Sequence, residues 1–436
     1  MRLTIEKLIY GGDGLARGPA DEHGKGKAIF VPFVLAGERV EAEITEQKPG
    51  FMRARATKLL AASEQRAEPG CPYFGQCGGC QYQHAAYDHQ LHIKAGILRE
   101  TLARLARTDA PPVTLHASPP WNYRNRTRMK VRAGGEFALG YYRFSSHELL
   151  PVERCPISSA LINRAVAALW QLGPAGDVSP AVQGIEFFAD AEDKRLLVEL
   201  TLPDNYWKQP AKPSVVHFAA ELRRALPEVA GIAVFRTTPR GLVREDVPRK
   251  LRDTFGDDEL VYHARGCEYH VTAGSFFQTN RYLTGTLIDL VVDHSGNRAL
   301  DLYAGTGLFT LPLSQQFRDV IAVEAAPFSF HDLKRNVPSN VKCVRDITER
   351  FLGGVNYDDS FDLTIVDPPR GGLGEKVAKL IGGLLCPRLT YVSCDPATLA
   401  RDLKFLTAAG FRIAELHLVD LFPQTFHIES VVKLVR

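Results

Sequence analysis

A chain of 436 residues, 45% hydrophobic and 24% charged, has the composition of a folded protein and the length for about three cores. Its 53 Lys and Arg against 50 Asp and Glu leave a net charge of +3, so any surface for nucleic acid must be a local patch. No apolar run nears the roughly 18 residues that span a bilayer, and the first residues lack the apolar core of a secretory signal. The expectation is a cytoplasmic protein with no membrane partner, no evident obligate protein partner, and 8 cysteines kept reduced.

Residues 1–60 read as a small β-barrel. Residues 3–8 alternate, Gly11-Gly12-Asp13-Gly14 breaks the chain, and 27–32 and 38–44 supply further strands. Barrels of this size often bind oligonucleotides. Residues 61–265 form a β-rich central unit with Pro/Gly joints such as Gly173-Pro174-Ala175-Gly176. Within it, residues 89–107 predict a helix with Leu91, Ala95, Leu98, Leu102 and Leu105 on one face, placed to pack on the last domain. In 266–436 apolar strands at 299–303, 319–323, 361–366 and 388–392 alternate with helical stretches, the pattern of a doubly wound, Rossmann-like α/β sheet.

Cys71, Cys77 and Cys80 cluster, and Cys155 stands before Pro156. Four thiolates suit tetrahedral zinc or an iron–sulfur cluster. The spacing has neither the two Cys-x2-Cys knuckles of a zinc ribbon nor the Cys-x3-Cys-x2-Cys of radical enzymes. Cys267, Cys343 and Cys386 read as unpaired core or surface residues. Between these cysteines Arg124, Arg126, Arg128, Lys130 and Arg132 alternate, so on a strand they share a face. Five like charges with no acid between them would neutralise phosphates along an RNA strand.

The strand that ends at Tyr303 turns through Ala304-Gly305-Thr306-Gly307 into a helix over 308–316, which lets backbone approach a ligand closely. Glu324 ends the next strand, as suits ribose hydroxyls; Asp346 follows, placed to reach an adenine edge, and then Asp367-Pro368-Pro369. A dinucleotide site would place a third glycine where Thr310 stands. The ordered series resembles the class I S-adenosylmethionine-dependent methyltransferases. Cys394 then follows the apolar run 389–392, which presents a thiol at the mouth of the same sheet. A thiolate is what C5 of a pyrimidine needs: addition at C6 makes C5 nucleophilic, and a base must afterwards take the C5 proton. Glu429, on the apparent last strand, is the candidate base.

The segments Ser393-Cys394-Asp395-Pro396, Phe422-Pro423-Gln424-Thr425, His427-Ile428-Glu429-Ser430, Ser275-Phe276-Phe277-Gln278-Thr279-Asn280 and Asp367-Pro368-Pro369-Arg370 together resemble the RNA uridine-C5 methyltransferase family. The resemblance spans the chain and is most specific over 274–436. It implies that Cys394 is the nucleophile and Glu429 the proton acceptor. It also implies that Gln278, Tyr303, Glu324 and Asp367 line the cofactor and target-base site, and that Asp346 helps hold S-adenosylmethionine. The cysteine spacing resembles the [4Fe–4S] site of the family's ribosomal-RNA branch, and residues 1–60 resemble the RNA-binding TRAM barrel, an OB-like fold. The implied partner is RNA, with 23S ribosomal RNA as substrate. A tRNA uridine-C5 enzyme of the same chemistry and a non-catalytic iron–sulfur RNA-binding protein are the alternatives. An RNA cytosine-C5 enzyme is disfavoured, because its cysteine follows the prolines of the same motif, where Arg370 stands.

Overall fold

The computed structural model describes residues 1–19, 26–108, 110–206, 212–236, 250–356 and 359–436. The N-terminal unit is a six-stranded sheet ordered Arg2–Thr4, Arg39–Gln47, Phe51–Ala61, Ala28–Val31, Gly14–Arg17, Lys7–Leu8. Leu3, Ile5, Ala16, Ile29, Val31, Val34, Val40, Ala42 and Ala54 fill it. The alternating run at 3–8 is two strands, because Ile5 turns out to donate to Glu38 O at 2.9 Å. The strand Phe51–Ala61 escaped the sequence reading: its exposed Arg and Lys hide the alternation, and its pairing with Arg39–Gln47 shifts register three times.

The central sheet has seven strands, ordered Leu149–Pro151, Ala138–Tyr142, Arg126–Arg132, Gly184–Ala189, Leu196–Leu202, Val229–Arg236, Lys250–Gly256. Helices Ala160–Ala175 and Val215–Ala225 share one core with it. The expected joint at 173–176 is instead a helix end. Leu161, Ile162, Ala165, Val166, Leu169 and Leu172 give a buried stripe that carries the helix through Pro174, and Gly176 caps it at φ +84°.

The C-terminal sheet has eight strands, ordered Val341–Val344, Phe317–Val323, Gly296–Leu302, Leu363–Val366, Arg388–Ser393, Ser430–Val435, Arg412–Val419, Val113–His116. The first five run parallel and Ser430–Val435 runs against them. The edge strand Val113–His116 comes from far upstream, and the helix Tyr87–Thr101 buries Leu91, Ile97 and Leu98 in the same core as Leu302, Val366 and Tyr391. The helix ends at Thr101, and Leu102–Ala106 is a π-helical turn. Its wider winding rotates Leu105 off the apolar face, leaving that residue 41% exposed. Among the described residues no helix is long and apolar enough to cross a membrane.

Candidate active site

The register that pairs Ser393 with Ser430 puts Cys394 and Glu429 at the same end of two adjacent antiparallel strands. This is the carboxyl end of the parallel strands, where ligands sit in open α/β sheets. Cys394 is pinned on both sides. Behind it the strand Arg388–Ser393 ends; ahead, the Asp395 carboxylate accepts from Ala397 N at 3.0 Å and Thr398 N at 2.8 Å to start the helix Pro396–Ala408. The Tyr10 hydroxyl, from the N-terminal unit, donates to the Cys394 carbonyl at 3.2 Å.

Glu429 is buried, and the residues before it are held from three directions. Gln424 adopts φ +68°, and its carbonyl accepts from Gln81 N at 3.0 Å and Tyr82 N at 2.9 Å. Lys94, fully buried, pairs with Asp420 at 2.6 Å and donates to Phe422 O at 2.9 Å. The Tyr123 hydroxyl donates to Pro423 O at 2.9 Å. Phe422-Pro423-Gln424-Thr425 is therefore a docking segment for the helix, the cysteine-rich stretch and the central unit together.

Burial pushes the Cys394 thiol up to about 12, with the Glu429 and Asp367 carboxylates adding to the effect and Arg370 opposing it. Burial, then Asp367, also holds the Glu429 carboxyl well above the usual carboxylate range. Asp367 is pushed up to about 7 by burial and by Asp301. His427 is driven down to about 3 by burial, then by Arg370, Arg124 and Lys94, so it is neutral. The result is a cluster in which burial biases both the acids and the thiol toward their protonated forms.

The glycine turn lies beside this cluster. Tyr303 (φ +64°), Gly305 (φ +58°) and Gly307 (φ +94°) are all left-handed, and Gly305 has open space where a side chain would stand. Glu324 holds the turn, accepting from Gly305 N at 2.8 Å and Ala326 N at 2.6 Å. Asp301 is fully buried and pushed up to about 7 by burial, with Glu324 adding to it; its Oδ2 accepts from Thr310 Oγ1 at 2.5 Å while Oδ1 has no partner. Asp346 accepts from Ile347 N at 2.6 Å and pairs with Arg350 at 2.6 Å. Gln278 is buried on the segment leading to Asn280, whose amide donates to Leu421 O at 3.1 Å.

The basic stripe differs from its sequence expectation. Arg126 is buried: it bonds Glu186 at 2.7 Å, Glu199 at 3.1 Å and Ser275 O at 2.5 Å. It is a structural tie and no phosphate can reach it. Arg128 pairs with Glu186 while remaining partly exposed. Arg124 is half-buried and donates from Nε to Arg126 O at 2.9 Å, Lys130 lies over the Tyr142 ring at 5.5 Å, and Arg132 is exposed. The acids sit on neighbouring strands, Glu186 opposite Arg128 and Glu199 opposite Glu186, so the local sequence could not show them.

Cys71, Cys77, Cys80 and Cys155 come together: burial pushes the first three thiols up, Cys77 to about 11, and Cys155 adds to each. Asn163 ties Cys155 down, accepting from its N–H at 2.9 Å and donating to its carbonyl at 3.0 Å. Among the described residues no group of three or more His, Cys, Asp or Glu is arranged to hold a metal ion. Tyr10 and Lys94 are site residues that sequence reasoning missed, since no local pattern marks them; His427 stood in the segment His427-Ile428-Glu429-Ser430 without being given a role.

Known proteins resemble this arrangement over its whole length. The profile of the tRNA (Uracil-5-)-methyltransferase family matches residues 86–436, and that of the TRAM domain matches residues 1–57. A protein of Aquifex aeolicus described as an uncharacterized RNA methyltransferase is 33% identical over 450 aligned positions, covering 100% of this chain and 98% of its own. One of Halalkalibacterium halodurans with the same description is 31% identical over 468 positions, covering 100% and 96%. The crystal structure of Pyrococcus abyssi tRNA (uracil-54, C5)-methyltransferase in complex with S-adenosyl-L-homocysteine superposes with a TM-score of 0.77. It covers 100% of both chains at 24% identity.

Proposed function

This chain belongs to the tRNA (uracil-5-)-methyltransferase family, and on that footing we propose that it methylates C5 of a uridine in RNA with Cys394 as nucleophile and Glu429 as base. It is an S-adenosylmethionine-dependent RNA methyltransferase with an N-terminal TRAM domain, so the non-catalytic alternative is set aside. The observation that carries the residue roles is the pairing of Ser393 with Ser430, which brings Cys394 and Glu429 together beside Asp367.

The Cys394 sulfur adds to C6 of the unstacked uracil, and the C5=C6 electrons move toward the C4 carbonyl as an enolate. C5 then attacks the methyl group, which S-adenosylmethionine supplies. Glu429, ionised before this step, takes the C5 proton as a carboxylate, the electron pair reforms C5=C6, and the S–C6 bond breaks to release the thiolate. Because the thiol is raised, Cys394 gives up its proton to solvent as part of the first step. For the cofactor, the open Gly305 cradle and the Gly307 turn receive the ligand backbone-first, Glu324 and Asp346 supply carboxylates, and Gln278, Tyr303 and Asp367 line the space between cofactor and base.

The three stretches divide the work: the barrel of 1–60 and the basic residues Arg124, Arg128, Lys130 and Arg132, the first and third half-buried, grip RNA, 61–265 carries the four cysteines, and 266–436 performs the chemistry. We assign a [4Fe–4S] cluster to Cys71, Cys77, Cys80 and Cys155. What supports it is the spacing of Cys71, Cys77 and Cys80 with a distant Cys155, and the influence of these thiols on one another. Large-subunit ribosomal RNA is the preferred substrate because barrel and cysteines occur together. A tRNA uridine is the second reading, favoured by the Pyrococcus enzyme named for tRNA, whose match extends over the barrel as well. Mass spectrometry of 5-methyluridine in ribosomal RNA and tRNA from cells with and without the protein separates the two.

A further inference from the structure

We propose that Tyr10 is a positioning residue for the nucleophile, so that the turn at residues 9–13 of the N-terminal barrel forms a wall of the catalytic pocket. The inference rests on Cys394 being the nucleophile. The turn is rigid: Ile9 N donates to Asp13 O at 2.9 Å and Gly12 N to Ile9 O at 3.1 Å. It is also pressed against the rest of the molecule. A Cβ on Gly12, already at φ +95°, would lie 2.8 Å from Gln81 Cβ and 3.6 Å from Phe426 Cβ. Behind it Leu8 and Leu35 of the barrel share a buried cluster with Tyr82 and Ala85, against which Ile93 and Phe426 pack, and Lys7 pairs with Glu100.

From this base Tyr10 reaches both halves of the site. Its hydroxyl donates to the Cys394 carbonyl at 3.2 Å, across 384 positions of sequence. Its ring meets Phe426 edge-on at 5.5 Å, and Phe426 lies 4.3 Å from His427, two residues before Glu429. The Cys394 carbonyl stands between the strand end and the Asp395 cap, so its direction sets how the thiol is presented to a base. A donor fixed by the barrel removes that freedom before RNA arrives.

Tyr10→Phe in the full-length protein keeps the ring on Phe426 and removes the donor. Total RNA from cells lacking the protein serves as substrate. The expected result is a kcat about tenfold lower, one hydrogen bond's worth, with KM for RNA and for S-adenosylmethionine within about twofold. Adduct formation with RNA from 5-fluorouracil-treated cells slows by the same factor. Gly12→Ala displaces the turn without touching the hydroxyl and gives the same loss in kcat. Unchanged kcat, or a loss confined to KM as for a plain RNA contact, overturns the proposal. Cys394→Ala is run alongside: methylation or adduct formation by that variant refutes the nucleophile itself, whatever Tyr10→Phe does.

Discussion

Arg128 stands directly opposite Glu186 on the adjacent antiparallel strand and donates to its Oε2 at 2.8 Å. Glu186 in turn stands opposite Glu199, and Arg126 binds both carboxylates. The guanidinium between them offsets the repulsion of two adjacent buried acids. Arg126→Ala therefore costs about 3–5 kcal/mol of folding stability in urea unfolding. Arg132→Ala does the reverse: it leaves stability unchanged and lowers the salt slope of RNA binding by about one unit. Equal salt slopes for Arg132→Ala and wild type would show its charge to be merely solvated.

The thiol and the base give opposite signatures. Cys394→Ala forms no adduct with 5-fluorouridine RNA, while Glu429→Gln methylates once and stalls with RNA attached through sulfur. Glu429 also raises the thiol when ionised. In Glu429→Gln the Cys394 thiol is thus alkylated by iodoacetamide at the wild-type rate where the wild-type carboxyl is protonated, and faster than wild type where it is ionised, so the two rates part as pH rises. Peptide mass analysis reads the rate at Cys394 alone. Normal turnover by Glu429→Gln would assign the C5 proton to another group.

Asp301 predicts a pH dependence of stability. Its carboxyl is pushed up to about 7 by burial, against about 3.9 in an unfolded chain. The folded state binds the extra proton, so this contribution is complete below about pH 4 and is lost as pH rises through 7. The loss is about 1.4 kcal/mol per pH unit for one proton. The melting temperature of the cofactor-free protein should fall between about pH 4 and 7 and level off above that. Asp301→Asn should flatten that fall, and an unaltered slope would show that the carboxyl is ionised throughout.

The parts of this molecule legible in sequence were those whose signal is local. Gly305 and Gly307 follow a strand and precede a helix, and Cys394 and Glu429 each end or begin an apolar run. What was hidden depends on distant pairing. Arg126 looked like part of a free stripe because Glu186 and Glu199 lie 60 and 73 positions away. Tyr10 and Lys94 belong to the site only because the barrel and an upstream helix dock on residues 420–427. Leu105 followed the helical period until a π turn changed it.

The proposed cluster and the catalytic site are joined by a short path. Cys80 is followed by Gln81 and Tyr82, whose N–H groups hold the Gln424 carbonyl, and Gln424 lies five residues before Glu429. The protein purified without air should be brown, with iron and sulfide each near about four per chain. Cys77→Ser or Cys155→Ser should remove the colour. Freed from the cluster, the stretch that holds Gln424 loosens, and Glu429 loses its fixed approach to the base. Methyl transfer should then fall while S-adenosylmethionine binding, measured by calorimetry, stays within about twofold, because the Gly305 turn is held by Glu324 from another strand. A colourless protein with one zinc would refute the cluster and leave this coupling in place. Full activity in the colourless variants would show that the docking of Gln81 on Gln424 survives without any metal.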